Sequence, residues 1–535
     1  MNQIGSCDLC EKPATQRCGG CYKIFYCCKE HQKAGWKEHK QCCRPCEVAE
    51  DDRLGRHLVS TKLIKNGEII FRERAMIQGP AQITIPVCLG CGKAINESNS
   101  HPCTECGWPM CSEICQKNPN HIPECRYTVQ RGDKVSIKNF GMIHPIYQCV
   151  TVLRCLYQKQ FLPEVWAKLE KLQSHSEERK NTPKYKNERV QVAEFIRRFF
   201  KLDQIFTEED IMEICGIVMV NCHEVPLGDP PYIGIYDTCS MLEHSCRPNC
   251  SKSFANDGSI VLVASEDIER GDHLSICYTD PLWGTPNRRH HLYESKFFWC
   301  SCPRCSDTTE FGTHFSAMKC RKKNCGGYLL PKTFLEKTDN TKNSDWHCEK
   351  CEETASCFSV QDILERIGTD MIELPKGDPE ALKKFIDLNS LYLHPNHYFL
   401  TESRLALIQN IGQSEDGLVN VSDENLDIKA KTAAQLLSLF SVLTPAERRL
   451  RGMVFFELHA AVSEMGRRSF EPNIMHSRLE EAKKYLNECI DQLKNEPSCL
   501  PEGQILNQAK QNLKDIDVIL QKIQNNGSDS VPVIL

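Results

Sequence analysis

Cysteine, and where it falls, constrains this chain more than any other feature. The sequence holds 34 cysteines in 535 residues, most of them in four clusters at 7–46, 88–125, 300–305 and 320–351. The stretch after 360 has almost none. No charged-then-apolar leader precedes Cys7, so a reducing compartment is expected. There, clustered thiols bind metal rather than one another, and disulfide scaffolds are in any case short.

The first cluster reads Cys7-x2-Cys10, Cys18-x2-Cys21, Cys27-x3-His31 and His39-x3-Cys43. A C-x2-C knuckle grips one tetrahedral ion from a tight turn, and ligands four apart share one helix face. Finger precedent suggests two interleaved sites: Cys7, Cys10, Cys27 and His31 on one ion, and Cys18, Cys21, His39 and Cys43 on the other. Cys28, Cys42 and Cys46 are spare, and Cys28 or Cys42 is able to replace a neighbour. The second cluster repeats the scheme with Cys88, Cys91, Cys103, Cys106, Cys111, Cys115, His121 and Cys125. The third, Cys300, Cys302 and Cys305, lacks one ligand, for which the distant Cys246 is chosen. The fourth, Cys320, Cys325, Cys348 and Cys351, reads as a four-cysteine ribbon with Trp346 beside its second knuckle. The mixed Cys/His sets favour Zn2+ over iron–sulfur.

Between the clusters the pattern changes. Residues 54–80 and 232–280 read as short strands and tight turns, among them Lys65-Asn66-Gly67-Glu68 before Ile69-Ile70-Phe71. Residues 140–220 read as helical, with Phe195, Ile196, Phe199 and Phe200 as a core stripe and Thr207 with Asp210 as an N-cap. From about 359 the chain reads as helical hairpins. Asp378-Pro379 opens one helix, Thr444 to Glu447 suggests a capping box, and the tail from Asn525 should be loose. Net charge is −5, with 66 basic and 71 acidic residues, which disfavours a nucleic-acid binder. No apolar run approaches the ~18 residues of a membrane span.

In combination, these residues resemble the SET-and-MYND (SMYD) family, in its arthropod-type branch. Tyr26-Cys27 and Gly35 to Lys40 are similar to a MYND zinc finger. Ser240 to Cys250 is similar to S-x-L-N-H-S-C-x-P-N-C. Phe297 to Cys305 resembles the post-SET F-F-x-C-x-C-x2-C, and Leu393 to Tyr398 resembles a motif of the helical C-terminal domain. The resemblance implies an α+β chain: a SET-type β-fold with zinc-finger modules and an all-α C-terminal helical-hairpin domain. The expected modules are a MYND finger at 1–46, a SET N-terminal segment at 52–86, and a second MYND-like module at 87–126. A helical insert at 127–204, a SET core at 205–282 and a post-SET motif at 283–306 follow. A zinc ribbon at 307–358 and the helical domain at 359–535 complete the chain.

The resemblance also implies transfer of a methyl group from S-adenosyl-L-methionine to a protein lysine, histone or non-histone, by a chromatin regulator in cytoplasm or nucleus. Cys246 becomes the fourth post-SET ligand. Tyr278 matches the catalytic tyrosine. Arg56, His57, Asn221, Ser240, Glu243, His244 and Phe298 fall on cofactor-contact positions. Proline-containing co-regulator peptides are the expected partners of the MYND finger.

Four positions depart from the family pattern. The second glycine of G-x-G is His57, where a side chain hinders close approach. Glu243 replaces an asparagine, and an ionised carboxylate only accepts hydrogen bonds. Lys296 replaces the second channel tyrosine, and His223 stands where a phenylalanine is common. Together they suggest a second reading, a catalytically silent SET scaffold acting as a zinc-finger adaptor.

Overall fold

The computed structural model describes residues 5–21, 23–40, 43–336, 345–413 and 417–525. The loose tail expected beyond Asn525, and the spare thiol Cys42, lie outside the described residues. The N-terminal module is built from two-residue strands and one helix, α1 (Lys29–His39). Its N-cap Cys28 is extended, so Cys27 precedes the helix, His31 sits in its first turn and His39 closes it.

Strands β1 (Cys46–Asp51) and β2 (Gly55–Ser60) form an antiparallel hairpin. Its turn is set by Asp51, whose carboxylate accepts from the N–H groups of Arg53 and Leu54 at 2.9 and 2.7 Å. Gly55 takes φ +65°, and nothing lies within 4 Å of where its Cβ would stand. Strands β3 (Ile69–Glu73) and β4 (Ile77–Pro80) follow. The chain then leaves the sheets for the second cysteine module and a helical region. This region contains α2 (Ile122–Arg131), α3 (Val150–Phe161) and α4 (Glu208–Asn221). Helix α4 opens on the Thr207/Asp210 capping box. Phe195, Ile196, Phe199 and Phe200 join the core here, behind a π-helical turn at Arg189–Glu194. Trp108, Tyr147, Leu153 and Ile214 fill the same core.

The chain returns as β5 (His223–Val225), β6 (Tyr232–Ile235), β7 (Glu243–His244), β8 (Cys250–Phe254), β9 (Ile260–Ala264) and β10 (Ser275–Ile276). One sheet has the order β5-β6-β4 and another β8-β9-β3, so segments on both sides of the long insertion complete each other's sheets. Strand β9 is buried along its whole length, and Leu262 pairs with Phe71. Strands β7 and β10 pair in parallel, Glu243 opposite Ser275 and His244 opposite Ile276. Helix α5 (Thr285–Lys296) then leads to the third cysteine cluster, and a four-stranded ribbon carries the fourth.

The rest is helical: α6 (Cys357–Glu373), α7 (Pro379–Asn389), α8 (Tyr398–Asn410), α9 (Asp423–Leu443), α10 (Arg448–Arg467), α11 (Pro472–Leu493) and α12 (Pro501–Asn525). The Asp378 carboxylate caps α7, accepting from Glu380 N–H at 2.9 Å, with Pro379 in the first turn. The box expected at Thr444–Glu447 does not form. Thr444 N–H is bound by Phe440 O at 2.9 Å and its carbonyl accepts from Glu447 at 3.0 Å. Thr444 thus ends α9, and α10 starts only at Arg448 with no side-chain cap. Leu479, Ala482, Leu486, Cys489 and Leu493 of α11 are buried in one core with Ile516 and Leu520 of α12. No described helix is long and apolar enough to cross a membrane.

Candidate functional site

The cysteine and histidine side chains converge in groups of four. Cys7, Cys10, Cys27 and His31 form one, and Cys18, Cys21, His39 and Cys43 another. Cys88, Cys91, Cys111 and Cys115 form a third, Cys103, Cys106, His121 and Cys125 a fourth, and Cys246, Cys300, Cys302 and Cys305 a fifth. In each, the donor atoms lie within 4.8 Å of one another. In the ribbon, Cys325 stands 3.5 Å from Cys351 and 3.6 Å from Cys348, and Cys320 is 3.7 Å from Cys351. A zinc tetrahedron with bonds of ~2.3 Å has edges of ~3.8 Å, whereas a disulfide spans ~2.05 Å. Contacts such as Cys10–Cys27 and Cys18–Cys43, both 3.6 Å, match the tetrahedron. The donor sets therefore fit zinc.

Two supports around these groups were not legible in the motif spacing. His121 turns Nε2 toward Cys106 at 3.3 Å because its Nδ1 faces Glu124 at 3.1 Å. Glu124 is in turn clamped by Arg154 at 2.7 and 3.0 Å. Orienting a ligand histidine through its other nitrogen is the usual outer-shell device. Beside Cys246, the buried Glu310 accepts from Arg304 at 2.8 Å and Arg288 at 3.1 Å. Arg304 also donates to the Cys246 carbonyl at 3.1 Å.

His244 joins this fifth group to Tyr278. Its Nδ1 accepts the Tyr278 backbone N–H at 3.1 Å, which leaves the proton on Nε2, 3.2 Å from Cys246 Sγ. The parallel pairing of β7 with β10 brings these two chain segments side by side. The Tyr278 hydroxyl donates to the Leu242 carbonyl, and burial pushes its pKa upward. Phe298 lies against His244, ring centroids 5.8 Å apart.

The remaining cofactor-position residues divide into two groups. Arg56 donates to Lys171 O, and Ser240 to Tyr236 O at 2.5 Å. Asn221 spends its amide N–H groups on Gln173 O and Ile217 O, both 2.9 Å, which leaves its carbonyl oxygen as an acceptor. His57 and Glu243, the two departures, meet through a residue that motif reading passed over. His273 Nδ1 is 3.1 Å from the Glu243 carboxylate, and its ring stacks on His57 at 4.5 Å with 18° between planes. The Glu243 carboxylate thus has a partner within the protein, and His57 on β2 is only 3 % exposed. A guanidinium, a free amide oxygen and an aromatic pair suit the carboxylate, ammonium and purine of S-adenosylmethionine, so the residues present fit it.

Of the last two departures, Lys296 is the one at Tyr278. Lys296 Nζ lies over its ring, 5.6 Å from the centroid, and His223 approaches Lys252 Nζ at 3.2 Å. A separate cavity of about 780 Å3, lined by Trp299, Phe334, Trp346 and Phe399 among others, does not include Tyr278.

These features define a SET domain braced by cysteine and histidine clusters and preceded by a finger. A SET-domain family model matches residues 55–279, and a MYND-finger model matches 7–43. The chain is 29% identical to the SET domain-containing protein SmydA-8, isoform A, of Drosophila melanogaster, over 68% of this chain and 77% of that one. It is 26% identical to histone-lysine N-methyltransferase Smyd1 of Mus musculus, over 59% and 68% of the two chains. It is also 26% identical to histone-lysine N-methyltransferase SMYD3 of Homo sapiens, over 47% and 59%. The chain thus carries a SET domain and a MYND finger and is similar to SET-and-MYND (SMYD) proteins, some of which are named lysine methyltransferases.

Proposed function

We propose that the chain is an S-adenosyl-L-methionine-dependent protein-lysine N-methyltransferase of SET-MYND type, acting on histone or other protein lysines in nucleus or cytoplasm. Its zinc groups serve as structural clamps. The observation that carries this reading is the strut Cys246–His244–Tyr278, which ties the proposed catalytic tyrosine to a four-thiol group. Arg56, Asn221, Ser240, His244 and Phe298 hold the cofactor, with Glu243 and His57 kept aside by His273. The bound cofactor supplies an electrophilic methyl group. The protein aligns the acceptor amine, excludes water and orients it with the Tyr278 hydroxyl. The MYND finger, 1–46, docks proline-containing co-regulator peptides.

The decisive pair of measurements is calorimetry with S-adenosylhomocysteine and methyl transfer to a core-histone mixture. Tyr278→Phe should cut transfer by about tenfold or more while leaving binding nearly intact. Equal rates would remove Tyr278 from the chemistry. A second reading, a silent scaffold, is favoured by Lys296, whose ammonium lies at Tyr278. It is the right one if the cofactor binds and no protein lysine is ever methylated.

A further inference from the structure

Three basic side chains from distant parts of the sequence come near one another, and one of them, Lys296, lies over the Tyr278 ring. Lys296 ends α5, Lys252 lies on β8 and His223 opens β5. Lys296 Nζ donates to the Val220 carbonyl at 2.5 Å and sits over the Tyr278 ring. Lys252 Nζ donates to His223 Nδ1 at 3.2 Å, and His223 Nε2 is 3.7 Å from Cys239 Sγ. Among the described residues, neither lysine is in an ion pair with a carboxylate.

A cation in such a place is costly unless something specific receives it. What receives Lys296 is a carbonyl oxygen and the face of a phenol. Those are the groups by which a protein recognises an alkylammonium. Burial pushes the Lys296 amine down to about 8; Lys252 and Lys184 add to this and Cys222 opposes it. Burial, with Lys252 and Lys296, keeps His223 neutral, so it accepts from Lys252 and brings no negative charge. A second ammonium entering beside Tyr278 would meet Lys296, which is not paired with a carboxylate.

We propose that Lys296 is an internal occupant of the acceptor channel, so that a lysine side chain from outside enters only when Lys296 swings away. The claim rests on the reading above, that Tyr278 marks the point of methyl transfer. It makes Lys296 the residue that decides access to that point.

The test uses the full zinc-loaded chain and n-butylamine, the outer part of a lysine side chain, as probe. Lys296→Ala should bind n-butylamine about tenfold more tightly than the unmodified chain, and Lys296→Arg should not. Equal binding in all three, or none in any, overturns the proposal. Thermal unfolding supplies a second readout, because Lys296→Met removes an unpaired half-buried charge while keeping most of the side chain's length. Its Tm should equal or exceed that of the unmodified chain, and a clear fall would show a structural tie rather than a displaceable occupant. S-adenosylhomocysteine titrated into the same samples separates the two claims. Binding of S-adenosylhomocysteine with equal amine binding sinks only the occupancy. Failure to bind it sinks the methyl-transfer reading itself.

Discussion

The two ends of this molecule keep their shape by different means. Before residue 360, many strands are two residues long and side chains converge on thiol and imidazole groups. After it, helices of 11 to 25 residues bury regular apolar faces against one another. Elements of two residues bury too little apolar surface to offset their ordering entropy, so in the cysteine modules of the first region coordination adds to what the apolar cores around them supply. The helical region meets the same cost with leucine and alanine layers such as Leu479, Ala482 and Leu486.

The largest expected effect follows directly. Strong chelation should unfold the amino-terminal modules and leave α9 to α12 protected. Hydrogen exchange read by mass spectrometry checks this, and loss of protection at both ends together would erase the distinction. Next comes the buried Glu310, which pairs with both Arg288 and Arg304 beside the fifth thiol group. Glu310→Ala leaves two buried cations unpaired and should cost about 3–5 kcal/mol in denaturant unfolding.

Acid acts on the opposite end. Burial holds His397 down to about 3 and His459 to about 4, so the folded chain keeps both neutral while the unfolded chain takes up protons below the ordinary 6.5. Their contribution is whole above pH 6.5 and shrinks as the pH falls toward 4, by about 1.4 kcal/mol per histidine for each pH unit. Exchange protection of α8 and α10, corrected for intrinsic rates, should drop over that window. Constant protection would place these imidazoles in contact with water.

The smallest effect is local. His273→Ala should weaken S-adenosylhomocysteine binding about tenfold by freeing the Glu243 carboxylate, and adding Glu243→Asn should restore it. Additive losses in the double variant would show that the two residues do not act through each other.

Ligand spacing made the clusters readable from sequence, because neighbours two to four residues apart must share an ion to be useful. The helical end was readable from its periodicity, apart from Thr444, where a local capping signal lost to the end of α9. What spacing does not carry is contact between distant residues. His273 lies 30 residues from Glu243 in the chain, and Lys252 lies 29 from His223. Glu124 and Arg154 likewise meet only through the packing of α2 against α3. The two changed residues His57 and Glu243 both meet His273, which only the folded chain brings to them.

The account stands or falls on whether the thiol groups hold a cofactor site together. Calorimetry with S-adenosylhomocysteine, on the zinc-loaded chain and again after zinc removal, tests this most directly. One-site binding that vanishes with the metal is the expected result. Binding that survives complete zinc removal, or no binding by the loaded chain, would contradict it.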